Sequence, residues 1–279
     1  MGACQPAAGG DGCAMVEKQH VEDVSSHAFV LRTRPYGESD LIAVLLTRDH
    51  GKVSGIARGA RRSRRRFAGP ALQPFQELEL RFARRPHSEL AFLHECSILA
   101  SHHHIADDLA CFAWASYVCE LTERMTAERD PCVEVYELFR ATVEAFSGGG
   151  VAEPIAHHFI LGLLDHAGWG PDFERCGICS REVSGELKPI LDARGSGVIC
   201  ARHEAERFGR DPQDPEYRPS RRVITQPLLD YVRAARSGPS LDGAAEVAGE
   251  ATALLDRLVD LHLGRPLQSR RFLADIRGR

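Results

Sequence analysis

Cys176-Gly-Ile-Cys179 followed by Cys200-Ala-Arg-His203 is the arrangement with the most definite chemistry in this chain. Each knuckle brings two ligands to one point, and two knuckles supply the four soft or borderline donors that tetrahedral Zn²⁺ prefers. Gly177 and Gly195-Ser-Gly197 provide the turns such a loop needs. The expected ligands are Cys176, Cys179, Cys200 and His203, holding one structural zinc per chain. Four protein ligands leave no open coordination position, so this zinc would brace a fold element and activate no water. His102-His-His104 are adjacent and cannot converge on one metal from a helix. They are expected in an exposed turn, and His157 and His158 as partly buried helix residues.

A second candidate site is cationic. Six of the nine residues from Arg58 to Arg66 are arginine, namely Arg58, Arg61, Arg62, Arg64, Arg65 and Arg66. Such a run is either a solvated loop or a phosphate-binding one. Charges this close repel one another, and a nucleic-acid backbone relieves the repulsion while releasing counterions. Arg32, Arg34, Lys52 and Arg81 are candidates to extend the track, with Tyr36, Phe67 or Phe75 as aromatic platforms or as core residues.

The elements that carry these residues change character near residue 100. Strands are predicted over residues 27–33, 41–47, 52–57, 75–82 and 90–99, separated by Pro35-Tyr-Gly37, Asp49-His-Gly51, the arginine stretch and Arg85-Pro86. Five strands in about 75 residues suggest a small barrel, and a basic loop between its third and fourth strands lies beside the face on which oligonucleotide-binding (OB) barrels take single strands. Beyond residue 104 the period is helical. Asp107 or Asp108 caps a helix to about residue 127, a second reaches Phe146, and a third begins at Pro154 and carries Ile155, Phe159, Leu163 and Leu164 on one stripe. Further helices are predicted over 226–235 and 244–263, after an Asp- and Pro-rich loop at 211–219. The expected fold class is α+β and multidomain: a flexible tail at 1–22, a five-stranded OB-fold barrel at 23–100, and a mostly α-helical domain at 101–279 with a zinc-ribbon-like insertion at 173–206.

Composition narrows the classes further. The 279 residues are 43% hydrophobic and 27% charged, an ordinary globular balance. The net charge of −4 conceals an asymmetry: residues 21–100 carry thirteen Lys or Arg against nine Asp or Glu, whereas residues 101–279 carry twenty-one against twenty-eight. An anionic partner is expected for the N-terminal part. Nine cysteines, six of them outside the two knuckles, are not a disulfide framework, and Cys111 and Cys119 fit as small apolar helix residues. No apolar run approaches the roughly 18 residues that span a bilayer, and the N-terminus lacks a secretory signal, so a cytoplasmic location is expected. Pro6 stands where a myristoylation signal needs Ser or Thr, and Met15 is a candidate alternative start. Phosphate-binding, dinucleotide, nucleophile-elbow and zinc-protease motifs are missing, and no enzyme is expected.

The chain resembles the bacterial RecO recombination-mediator family from about residue 27 to 275. The resemblance rests on Ala28-Phe-Val-Leu-Arg-Thr-Arg-Pro-Tyr-Gly-Glu-Ser-Asp40, Leu46-Thr-Arg-Asp-His-Gly51, Ala57-Arg-Gly-Ala-Arg-Arg62 and Leu72-Gln-Pro-Phe75. In the C-terminal half it rests on Leu163-Leu-Asp-His-Ala-Gly-Trp-Gly-Pro-Asp172 and Leu263-Gly-Arg-Pro-Leu-Gln-Ser-Arg-Arg-Phe-Leu273. It implies an OB-fold barrel, a helical domain with a zinc-ribbon-like insertion and a non-enzymatic role in DNA repair at the nucleoid. It also implies binding of single- and double-stranded DNA, annealing of complementary strands, and RecA loading with RecR and single-strand binding protein. The family often has four cysteine ligands, where this chain has His203 in the fourth place. The helical domain is implied to hold the acidic, apolar tail of single-strand binding protein, for which Arg265, Arg270, Arg271 and Phe272 are candidates by composition. They also fit a basic helix end that complements its dipole. The competing expectation is a zinc-stabilised protein-interaction scaffold without direct DNA contact.

Overall fold

A computed structural model describes residues 22–63, 65–67, 69–84, 88–183, 190–192, 197–200, 202–203, 221–239 and 244–277. Five strands open the chain: β1 Glu22–Tyr36, β2 Asp40–Thr47, β3 Gly51–Ala57, β4 Glu77–Arg84 and β5 Ala91–Ala100. They close in the order β1-β2-β3-β5-β4, with β4 returning to β1. The β3–β5 contact is parallel and every other pairing antiparallel. This is the closed five-stranded barrel of the OB type.

Residue alternation explains which strands face what. In β3 every second residue points inward, and Val53 joins Ala28, Val30, Leu45, Leu78, Leu80, Phe82 and Leu93 in the barrel interior. Each large side chain so buried contributes about 1.5–3 kcal/mol. β2 and the Ala28–Leu31 stretch of β1 bury both faces, because the outward residues Phe29, Leu31, Val44 and Leu46 belong to the helical core. That double burial is why Leu41–Leu46 reads as an unbroken apolar run and not as an alternation.

After a 3₁₀ turn at His103–Asp107 come α1 Leu109–Met125, α2 Val133–Ser147 and α3 Ala152–His166. The Asp108 carboxylate caps α1 by accepting the Cys111 N–H at 2.6 Å. Later come α4 Gln226–Ser237, α5 Ala244–Leu263 and α6 Ser269–Arg277. α3 packs against α1, α2, α4 and α5, and its Ala156, Phe159 and Leu164 are fully buried. Three short strands, β6 Ile190–Asp192, β7 Gly197–Ile199 and β8 Arg221–Val223, pair in the order β7-β6-β8. No described helix is long and apolar enough to cross a membrane.

The barrel and the helices share one packed seam. Phe29 of β1 meets Tyr136 and Phe139 of α2 at ring distances of 5.4 and 5.2 Å, and the Tyr136 hydroxyl donates to Glu77 of β4. Gly51, at φ +67, brings its Cα so near the Asp130 backbone that a Cβ would overlap it. A side chain there would push the α1–α2 connection off the barrel.

Several expected details differ. The strand expected from residue 75 begins at Glu77, because Phe75 sits at φ +70 and turns its ring to Phe112 of α1. α6 and the three-stranded sheet were not expected as elements. His102 is buried rather than part of an exposed turn, whereas His103 and His104 are exposed. His157 is fully buried between the Tyr231 hydroxyl and Thr252. The tail at 1–21, Arg64, Arg85-Pro86, 195–196 and the loop at 211–219 lie outside the described residues.

Candidate metal centre and nucleic-acid face

The four expected ligands converge. Each offers one donor atom, and the four atoms lie within 4.8 Å of one another. Cys200 Sγ stands 3.1 Å from His203 Nδ1, Cys176 Sγ 3.7 Å from the same nitrogen, and Cys179 Sγ 4.0 Å from Cys200 Sγ. Tetrahedral bonds of about 2.3 Å to sulfur and 2.0 Å to nitrogen demand donor separations of roughly 3.5–3.8 Å, so the spacing suits a metal of that size. Cys176, Cys200 and His203 are buried and Cys179 is exposed. Burial opposes ionisation of Cys176, yet the backbone N–H groups of Cys200, Cys179 and Ile178, with His203, hold its thiol down at about 6. Burial pushes the Cys200 thiol up. Thiolate character at Cys176 is what a metal knuckle requires.

Local backbone bonds build this centre. The Cys176 N–H donates to Arg181 O and the Ser180 N–H to Cys176 O, which folds the first knuckle on itself. The Gly177 N–H donates to Val198 O and joins the first knuckle to β7. Gly197 lies so close to the Asp172 backbone that no Cβ fits, which is how β7 is laid beside the first knuckle. The assembly is fastened to α4: Arg233 donates to Phe173 O and pairs with Glu174, while Arg236 pairs with Asp165 and lies over the Phe173 ring. Phe173, Val183, Val198 and Ile199 continue the helical core into it. Four protein donors leave no open coordination position, so a metal held here would act as a staple.

The expected cationic residues separate into two groups, apart from Arg81, which pairs with Glu95 across β4 and β5 at 3.0 Å. Arg32 makes a two-pronged contact with Glu123 of α1. Lys52 donates its Nζ to the carbonyls of Glu123 (2.5 Å) and Thr126 (2.7 Å) at the C-terminal end of α1. Both therefore serve the seam, and the β1–β3 wall they occupy faces helices.

The others lie at the far end of the barrel. Arg34, Arg58, Arg61, Arg62, Arg65 and Arg66 are all exposed. The loop that carries five of them is pinned to the β1–β2 hairpin: the Gly59 N–H donates to the Asp40 carboxylate at 2.8 Å and the Arg61 N–H to Ser39 O at 3.0 Å. Gly59 donating to Asp40 holds that carboxyl below the usual range. Farther along, the Cys96 N–H donates to Arg66 O, and the loop pairs with β5 at Phe67. Phe67 and Phe75 are buried, so of the three aromatic candidates Tyr36 alone is exposed.

A family model described as recombination protein O N terminal matches residues 21–102, and one described as recombination protein O C terminal matches residues 106–271. The chain belongs to the RecO family. A DNA repair protein RecO of Anaeromyxobacter sp. (strain K) is 36% identical over 248 residues, which are 88% of this chain and 94% of that protein. The RecO of Myxococcus xanthus is 32% identical over 256 residues, 92% and 99% of the two chains. That of Bifidobacterium adolescentis is 30% identical over 252 residues, 88% and 96%. The RecO match thus covers both the barrel and the helices.

Among RecO positions considered for a partner, Arg270 is occupied. Its guanidinium pairs with Asp256 at 2.8 Å and Asp260 at 2.6 Å, and Asp256 also accepts the Tyr117 hydroxyl. Phe272 packs on Phe112, whereas Arg265 and Arg271 are exposed. Arg265 borders a groove of about 680 Å³ floored by Leu31, Phe75 and Phe112, with Arg124 on its wall. Arg124 and the barrel side of this groove were missed at the sequence level, because their approach depends on the seam.

Proposed function

We propose that this protein is a non-enzymatic DNA-binding mediator of repair and recombination. Its barrel end binds single- and double-stranded DNA, and neutralisation of phosphates by the arginine loop lets complementary strands approach and anneal. The exposed guanidinium groups of Arg58, Arg61, Arg62, Arg65 and Arg66 on one pinned loop are the observation that supports this most directly. Membership of the RecO family adds DNA repair as the setting. Barrel and helical region divide the work in this reading. The helical region, with the metal-carrying segment at 173–206, receives RecR and the acidic tail of single-strand binding protein. The groove beside Arg265 combines Arg124, Arg265 and apolar lining, and its two glutamates, Glu120 and Glu123, are taken up by Gln268 and Ser269 and by Arg32. RecA loading at the nucleoid follows from bringing these partners to one strand. The metal is Zn²⁺, one per chain, held by Cys176, Cys179, Cys200 and His203 as a structural brace.

Replacing Arg61, Arg62, Arg65 and Arg66 with alanine tests the DNA reading. Each lost phosphate contact removes about 0.7 from the single-strand salt slope, so the slope should shrink by roughly 2–3 units. An unchanged slope overturns the assignment. For the metal, elemental analysis of protein purified without chelator should give close to one zinc per chain, and Cys176→Ala should abolish it. Wild-type protein without zinc would overturn that part.

A further inference from the structure

The arginine loop encloses more than a charged surface. Between it and the β1–β2 hairpin lies a cavity of about 570 Å³, lined by Leu41, Phe67, Pro70 and Leu72 beneath Arg61 and Arg62. We propose that this cavity receives an unstacked nucleobase of single-stranded DNA while Arg61 and Arg62 hold the flanking phosphates. The inference rests on the DNA-binding reading above and adds to it a base-binding subsite.

Three observations carry it. The volume falls within the roughly 300–1,000 Å³ of small-ligand sites. The lining is amphipathic in the sense a nucleotide needs, because half-buried Leu41 and exposed Pro70 offer apolar surface, backed by buried Phe67 and Leu72, and Arg61 and Arg62 are exposed beside them. The position is also right, since this end of the barrel is framed by the β1–β2 hairpin, one of the places where OB barrels take oligonucleotides. Arg61 is already aimed by its bond to Glu38 O at 3.1 Å, while the contact of Arg62 with Glu38 is long, at 3.8 Å, between groups that are 72% and 94% exposed. A phosphate therefore displaces only a weak partner from Arg62. An acidic peptide would satisfy the arginines too, but five exposed arginines along one loop match a ligand with a charge at every repeat, which a nucleic acid has.

A base in a pocket makes affinity depend on the base, whereas phosphate contacts alone do not. Binding of a single-stranded oligonucleotide is therefore compared with an abasic strand of the same length at fixed salt. Wild-type protein should prefer the strand with bases by roughly five- to a hundredfold, the range for one sequestered base. Leu41→Ala, which removes apolar surface from the cavity wall, should reduce that preference severalfold when measured on the folded fraction. Affinity for the abasic strand should stay unchanged. Equal wild-type affinity for both strands overturns the pocket while leaving phosphate binding intact. A preference that survives Leu41→Ala and disappears in Tyr36→Ala assigns base contact to the hairpin and also overturns it. Tighter binding of an acidic peptide than of either strand assigns the cavity to a protein ligand. Absence of salt-dependent binding to both strands removes the DNA reading itself and the subsite with it.

Discussion

The barrel presents two cationic regions that look alike in sequence and differ in what surrounds them. On the wall facing the helices, Arg32 is matched by Glu123 and Lys52 by two helix-end carbonyls. On the loop at the barrel end, Arg58, Arg62 and Arg65 are exposed, with Arg58 over the Phe92 ring, and the loop is held by its backbone to Asp40, Ser39 and Cys96. In one region the charges are matched inside the molecule, and in the other they stay largely exposed. A guanidinium stays available where its partner within the fold is exposed and distant, as for Arg62 at 3.8 Å from Glu38.

Substitutions can break that contrast. The largest stability effect is expected for Lys52→Met, which leaves two carbonyls at the end of α1 without their charged donor and costs about 2 kcal/mol in urea denaturation. DNA affinity measured on the folded fraction should not change. A loss of DNA binding with normal stability would move Lys52 to the other group. Next comes Arg32→Ala. Arg32 is half exposed, with 53% of its side chain accessible, so solvent screening leaves about 0.5 kcal/mol for its pair with Glu123. Glu123→Ala should cost about as much, and the double variant scarcely more than either single one. The smallest stability effect is expected for Arg62→Ala with Arg65→Ala, where the urea midpoint should stay within error while the salt slope for DNA falls by about 1.4. A lower midpoint with an unaltered slope would show that the loop arginines serve the fold.

The metal centre shows how much of a site can be legible beforehand. Both knuckles are local in sequence, and the two-residue spacing dictates that each pair of donors meets. All four residues assemble as their spacing implies. The ties to α4 through Arg233 and Arg236 join segments about sixty residues apart and have no local signature. The same divide runs through the barrel. Its five strands follow from β-branched and apolar runs between turn residues, and the helical stretches from their period. The left-handed Phe75 is different, since a phenylalanine there is chosen by the neighbouring Phe112 and not by its own chain preference.

By itself the sequence determined the order of elements, the ligand set and where the arginines are densest, because these depend on spacing, period and composition within short windows. Only the tertiary structure decided which cations stay exposed, that β2 and part of β1 are buried on both faces, and that the loop roofs a cavity. Those outcomes depend on which distant groups come within a few ångströms, and the packing of barrel against helices sets that distance.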